Sequence, residues 1–126
     1  MNDFFNQFFA SWKYAWNGIK YCFKLEKNLT LMLIIAIIVI IIGGLLHISH
    51  TEWLFVITLI IAILALELFN TSIEHFLDLF HPEINNQVKH IKDLMAGSVA
   101  IVSLGALILG IIIFLPKILK LINAIN

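Results

Sequence analysis

Charged and polar positions divide this chain into long apolar runs. Residues 28–51 carry no formal charge, and within 29–46 the one polar side chain is Thr30. About 20 apolar residues at ~1.5 Å each cross a hydrocarbon core of ~30 Å, so the pattern predicts a first membrane helix over 29–48. A second apolar run, 53–66, is interrupted by Glu67, yet the helical pattern continues without Gly or Pro to Phe80. A helix over 53–80 is about 40 Å long, so it crosses the core and projects beyond it. The third run, 94–115, is uncharged and is followed by Pro116 and Lys117, which predicts a span ending there. Ahead of the spans, Phe4, Phe5, Phe8, Phe9, Trp12, Trp16, Ile19 and Phe23 recur at spacings of one, three and four, with Asn6, Gln7, Lys13, Asn17, Lys20 and Lys24 elsewhere on the wheel. That is the pattern of an amphipathic helix over 4–24 lying in the membrane interface. It lacks the basic start, uninterrupted apolar core and small-residue cleavage site of a secretory signal. With no internal repeat or low-complexity tract, the expectation is one all-α integral membrane domain over 1–126, with three transmembrane helices and an N-terminal surface helix.

Composition places the chain in a bilayer. It is 61% hydrophobic and 13% charged, with a mean hydropathy of +1.00, against roughly 25% charged residues in a soluble domain. Eight lysines, no arginine and eight acids balance to zero, which argues against nucleic acid as a partner, since that asks for a clustered basic excess. The single cysteine, Cys22, excludes an internal disulfide, and no CxxC spacing suggests a metal. Lys13, Lys20, Lys24 and Lys27 precede the first span, none lies in 47–52, Lys89 and Lys92 sit between the second and third spans, and Lys117 and Lys120 end the chain. Positive charge favours the cytoplasmic side. The N-terminus and the 80–93 loop are therefore expected in the cytoplasm, with the 47–52 turn and the C-terminus outside.

The chemistry concentrates around Glu67. At 100° per residue, Glu67, Asn70, Glu74 and Asp78 fall within about 80° of one another and form a polar seam on the second helix. With Trp53 at the outer boundary, Glu67 lies about 21 Å down the helix, inside the hydrocarbon, and Glu74 about 10 Å further, at the interface. A carboxylate at that depth costs at least ~2.5–3.5 kcal/mol on insertion scales and by default faces a protein interior or a functional pathway. Glu67 is thus a candidate general base for a weakly acidic hydroxyl; the alternative is that Glu67 and Asn70 serve as hydrogen-bonding glue between helices. Glu26, Glu74, Asp78, Glu83 and Asp93 gather at the inner surface with Lys89 and Lys92 among them. Hard carboxylate oxygens beside lysine suit Mg²⁺ bridging nucleotide phosphates, while the plainer reading is a solvated charged surface with Asp93 capping the third helix. No GxxxxGK[ST] or kinase-type GxGxxG is present. His47, His50, His75, His81 and His90 have no metal-ligand spacing and read as interfacial polar residues. Ala96 and Ala100 form a small-xxx-small pair suited to close helix packing.

The pattern Glu67-x-x-Asn70-Thr71-Ser72-Ile73-Glu74-x-x-x-Asp78, followed by Pro82-Glu83 and Lys92-Asp93-x-x-x-Gly97-Ser98-Val99, resembles that of the small prokaryotic integral-membrane diacylglycerol kinases, a family that includes the undecaprenol kinases. Glu26, a Trp16-Asn17-Gly18-Ile19 turn and the Glu52-Trp53 pair fall at the family's intervals, so the resemblance extends over 8–116. It implies a homotrimer in the inner (cytoplasmic) membrane, with active sites at subunit boundaries that transfer the ATP γ-phosphoryl group to a lipid hydroxyl. By position, Glu67 would accept the proton beside Asn70, and Glu26 and Glu74 would hold the Mg²⁺ that accompanies ATP. Tyr14, Glu83, Lys92 and Asp93, together with those two glutamates, would contact the nucleotide, and Trp16 with Glu67 the lipid. The chain departs from the family in carrying Ile84-Asn85 where an aromatic-His pair is common, and in lacking arginine. The expected acceptor is diacylglycerol, with undecaprenol as the alternative. A proton or ion conductor using the acidic seam, and a structural adaptor, are the readings from other classes; the conductor gives the lysines and carboxylates of 83–93 no role.

Overall fold

A computed structural model describes residues 2–81 and 85–125, with side chains over 5–81 and 85–124. The described residues form four helices and no strand: α1 (Asn2–Leu25), α2 (Lys27–Leu45), α3 (His50–Phe80) and α4 (Asn86–Ile125). Helices α2, α3 and α4 are each long and apolar enough to cross a membrane, and only 11–22% of their apolar windows is buried within the chain. The remaining apolar surface therefore needs lipid or further copies of the chain to cover it.

One residue, Glu26, separates α1 from α2. Its backbone is extended (φ −116°, ψ 116°), and its N–H still donates to the Cys22 carbonyl at 2.9 Å, so the chain changes direction across a single peptide unit. The aromatic side chains Phe8, Phe9, Trp12 and Trp16 on α1 are exposed, whereas Ile19, Cys22 and Phe23 are half-buried. The Trp16-Asn17-Gly18-Ile19 turn is a turn of this helix, as the amphipathic period over 4–24 predicts.

The turn from α2 to α3 is specified locally. His47 takes a left-handed conformation (φ 49°), its N–H donates to the Gly44 carbonyl at 3.2 Å, and the Ile48 N–H reaches back to Gly43 at 3.2 Å. This pair of bonds is a Schellman motif, which satisfies carbonyls the helix end would leave unpaired. Its apolar lock is Ile48, buried with Val56 and Ile113 and flanked by Trp53 and Phe114. The first span therefore ends at Leu45, short of the expected 48. Ser49 then caps α3: its hydroxyl accepts the Glu52 N–H at 3.3 Å while the Glu52 carboxylate accepts the Ser49 N–H at 2.6 Å.

Helix α3 packs most extensively against α4. An ion pair lies toward each end of this antiparallel pair, Lys117 to Glu52 at 3.0 Å and Lys92 to Asp78 at 2.5 Å. The third span departs from expectation at both ends. It starts at Asn86 instead of residue 94, because Asn85 caps it by accepting the Gln87 N–H at 2.8 Å on its side chain and the Lys89 N–H at 3.0 Å on its carbonyl. It also continues through Pro116. Proline removes one intrahelical donor, but packing of Ile113 and Phe114 and the Lys117–Glu52 pair hold the helix on course.

Gly43 is where α2 and the start of α3 approach most closely: a Cβ there would lie 3.0 Å from the Trp53 ring and 3.1 Å from Ile48, whereas Gly44 has nothing within 4 Å. Gly43→Val should destabilise the detergent-solubilised protein by about 1–3 kcal/mol through overpacking, while Gly44→Ala should be neutral or stabilise by up to ~1 kcal/mol through helix propensity. Thermal unfolding followed by tryptophan fluorescence checks both, and equal effects at the two glycines would contradict the packing described.

Candidate active site

The period of α3 places Glu67, Asn70 and Glu74 on one stripe, and that stripe borders a cleft of about 320 Å³. Glu26, Asn28 and Met32, at the start of α2, form a second wall, and Ala96, Val99, Ala100 and Ser103 of α4 form the third. The small side chains at 96 and 100 leave the space open, so the pair suited to close packing lines a cavity instead.

Glu67, Asn70 and Thr71 are the buried polar side chains among the described residues, at 5%, 7% and 3% exposure. Glu74 is half-buried, and the Asn70 Nδ2 donates to its Oε1 at 3.5 Å. Among the described residues the buried Asn70 Oδ1 and Thr71 Oγ1 have no partner. A buried polar atom left unsatisfied costs about 1–3 kcal/mol, and this cost falls on the helix wall that Asn70 contributes to the cleft. Glu26 is half-buried and makes no side-chain cap to α2, so its carboxylate is directed to the cleft. The carboxylates of Glu26 and Glu74 both lie within coulombic reach of Glu67. No trio of His, Cys, Asp or Glu forms a metal cage among the described residues.

The structure does not bring every expected site residue into this cleft. Tyr14 and Trp16 remain on α1, 72% and 58% exposed, with the Lys20 ammonium 5.6 Å from the Trp16 ring. Lys92 is tied to Asp78, and Asp93 is exposed within α4, where it cannot cap a helix that begins at Asn86. Glu83 lies outside the described residues.

Two features escaped the sequence reading. The Tyr21 hydroxyl lies 3.4 Å from the His75 Nε2, with their rings edge to face, which ties α1 to α3 one residue from Glu74; no sequence period links residues on separate helices. Ser103 lines the cleft, and its signal was present, since it shares a helical stripe with Ala96 and Ala100. Beside the cleft, burial pushes the Cys22 thiol above its usual pKa and the Glu26 carboxylate adds to the shift, so this cysteine stays protonated near neutral pH.

Three spans around a buried glutamate, with further carboxylates at the cleft, describe a membrane enzyme, and comparison with known proteins gives its class. Residues 13–114 match the family model for prokaryotic diacylglycerol kinase. The chain is 38% identical over 112 residues to an undecaprenol kinase of Bacillus subtilis (strain 168), covering 89% of this chain and 91% of that one. It is 30% identical over 113 residues to a diacylglycerol kinase of Synechocystis sp. (strain ATCC 27184 / PCC 6803 / Kazusa), covering 89% of this chain and 65% of that one. No solved structure matches it. The chain belongs to the prokaryotic diacylglycerol kinase family. It is a multi-pass membrane lipid kinase, a phosphotransferase whose acceptor is an alcohol.

Proposed function

We propose that this cleft is the active site of an ATP-dependent kinase acting on the primary hydroxyl of undecaprenol. The observation that carries the reading is the convergence of Glu26, Glu67, Asn70 and Glu74, from two helices, on one cleft. The lipid oxygen attacks the γ-phosphorus, an O–P bond forms, the bond from that phosphorus to the β–γ bridging oxygen breaks, and ADP leaves. Glu67 takes the hydroxyl proton. Phosphoryl transfer depends mainly on positioning and charge compensation, and a base beneath the interface meets a hydroxyl that a lipid can present there.

Glu26 and Glu74 fit a Mg²⁺ ion. They are half-buried, face one cleft and have no lysine bound to either carboxylate among the described residues, and Mg²⁺ takes one or two carboxylates, completing its shell with phosphate oxygens and water. Bound with ATP, the ion would compensate phosphate charge. Tyr14, Glu83, Lys92 and Asp93 would contact the nucleotide, with Lys92 exchanging Asp78 for phosphate, and Trp16 would meet the lipid. Tyr14 and Trp16 are exposed on α1 and available to a neighbouring subunit, which fits a homotrimer with shared sites. In the inner membrane the lysine distribution sets the N-terminus and the α3–α4 connection in the cytoplasm, where ATP is found, and the C-terminus outside.

Undecaprenol is preferred over diacylglycerol because the undecaprenol kinase relative is more similar and matches over nearly its whole length. The Synechocystis relative keeps diacylglycerol as the second reading.

Glu67→Gln should leave the protein folded and lower turnover by about 10²–10⁴-fold, the usual worth of a general base. The assay is labelled ATP and magnesium with each lipid supplied separately; a variant keeping more than about a tenth of the wild-type rate removes Glu67 from that role. Glu26→Ala and Glu74→Ala should each raise the magnesium concentration needed for half-maximal activity, and unchanged titrations in both would contradict a shared ion. In exchanged trimers, mixing Glu67→Gln with Lys92→Ala subunits should restore activity above either parent. Mixed trimers that exchange and stay inactive place each site within one chain.

A further inference from the structure

Four of the five serines spend their hydroxyls on the backbone. Ser11, Ser72 and Ser98 donate to the carbonyl four residues back at 2.9, 2.7 and 3.0 Å, as helical serines commonly do. Ser49 caps α3. Ser103, also inside a helix, makes no such bond among the described residues, and it lines the cleft. The Lys117–Glu52 and Lys92–Asp78 pairs fix an antiparallel register between α3 and α4 in which Ser103 stands level with Glu67. Asn70, one turn from Glu67 and 7% exposed, lines the same cleft.

We propose that Ser103 seats the acceptor's hydroxyl opposite Glu67, and that the lipid so held carries one hydroxyl with no ester carbonyl beside it. This rests on the cleft being the acceptor site. A hydroxyl needs an acceptor for its proton and a donor to its oxygen. Glu67 supplies the first and the Ser103 O–H the second. Around Ser103 the wall is Met32, Val99, Ala100 and Ala96, which offer no side-chain donor. Asn28, the remaining neutral amide of the lining, is exposed at the mouth beside Glu26, where water serves it. The two ester carbonyls of a diacylglycerol would be desolvated against this wall without donors, a cost that the apolar alkene next to a polyprenol hydroxyl does not incur.

The test is acceptor kinetics in mixed micelles with undecaprenol and a short-chain diacylglycerol, on the full-length wild type, Ser103→Ala, Ser103→Thr and Glu67→Gln. Wild type should favour undecaprenol in kcat/KM. Ser103→Ala should raise the KM for undecaprenol about three- to tenfold, the worth of one neutral hydrogen bond, with the KM for ATP unchanged. Ser103→Thr, which keeps the hydroxyl, should restore the acceptor KM. If Glu67→Gln is inactive and Ser103→Ala keeps the wild-type acceptor KM, the seat is overturned while the active-site reading stands. If Glu67→Gln keeps its turnover, the active-site reading falls and takes the seat with it. A wild type that favours the diacylglycerol overturns the single-hydroxyl assignment.

Discussion

The desolvation of a carboxylate governs this molecule. Glu67 carries a group that costs at least ~2.5–3.5 kcal/mol at the centre of a membrane helix, and the neighbouring structure answers that cost. Asn70 and Thr71 stand with it as the buried polar side chains of the described residues, and Glu67 and Asn70 face α4 across the cleft. Small side chains on α4 leave room for a polar visitor. A lone chain covers little of its own apolar surface, so lipid or neighbouring copies must complete the enclosure. The same burial that makes the residue costly separates it from bulk water, the setting in which the base proposed above would meet a lipid hydroxyl.

Charge at the shallower end follows a different logic. There the carboxylates are half-exposed, and the lysine nearest the seam, Lys92, is held by Asp78. An ammonium is a compact charge on a flexible stem and lacks the bidentate fork of arginine. The convergence of Glu26 with Glu74 at one cleft suits the divalent ion proposed above.

Much of this was legible from sequence because a single helix obeys a single period. The order and character of the four helices follow from apolar runs and amphipathic spacing, and the Glu67, Asn70 and Glu74 stripe follows from 100° per residue. Where physics acts between segments, the pattern is silent. The apolar run of the third span begins near residue 94, but Asn85 starts the helix two turns earlier by satisfying its first donors. Pro116 reads as a stop, yet packing and the Lys117 ion pair carry the helix past it. Family resemblance suggested that Glu26 meets Glu67 and Glu74 across a subunit boundary, whereas the structure brings the three to one cleft within a single chain, a meeting that no spacing across two segments encodes. Tyr14 and Trp16 show the converse: the resemblance assigns them to the site, and within one chain they remain exposed on α1.

The two ion pairs between α3 and α4 give the protein a fixed length. Glu52 and Asp78 lie about 39 Å apart along α3, and Lys92 and Lys117 about 38 Å apart along α4, at ~1.5 Å per residue. Because both pairs hold at once, the helices resist sliding past one another, and the strut they form meets a change in bilayer thickness by tilting. Tilt alters how far Glu67 sits below the headgroups while its distance to the α4 wall of the cleft stays constant. Such a strut would make catalysis responsive to the thickness of the membrane that supplies its substrate.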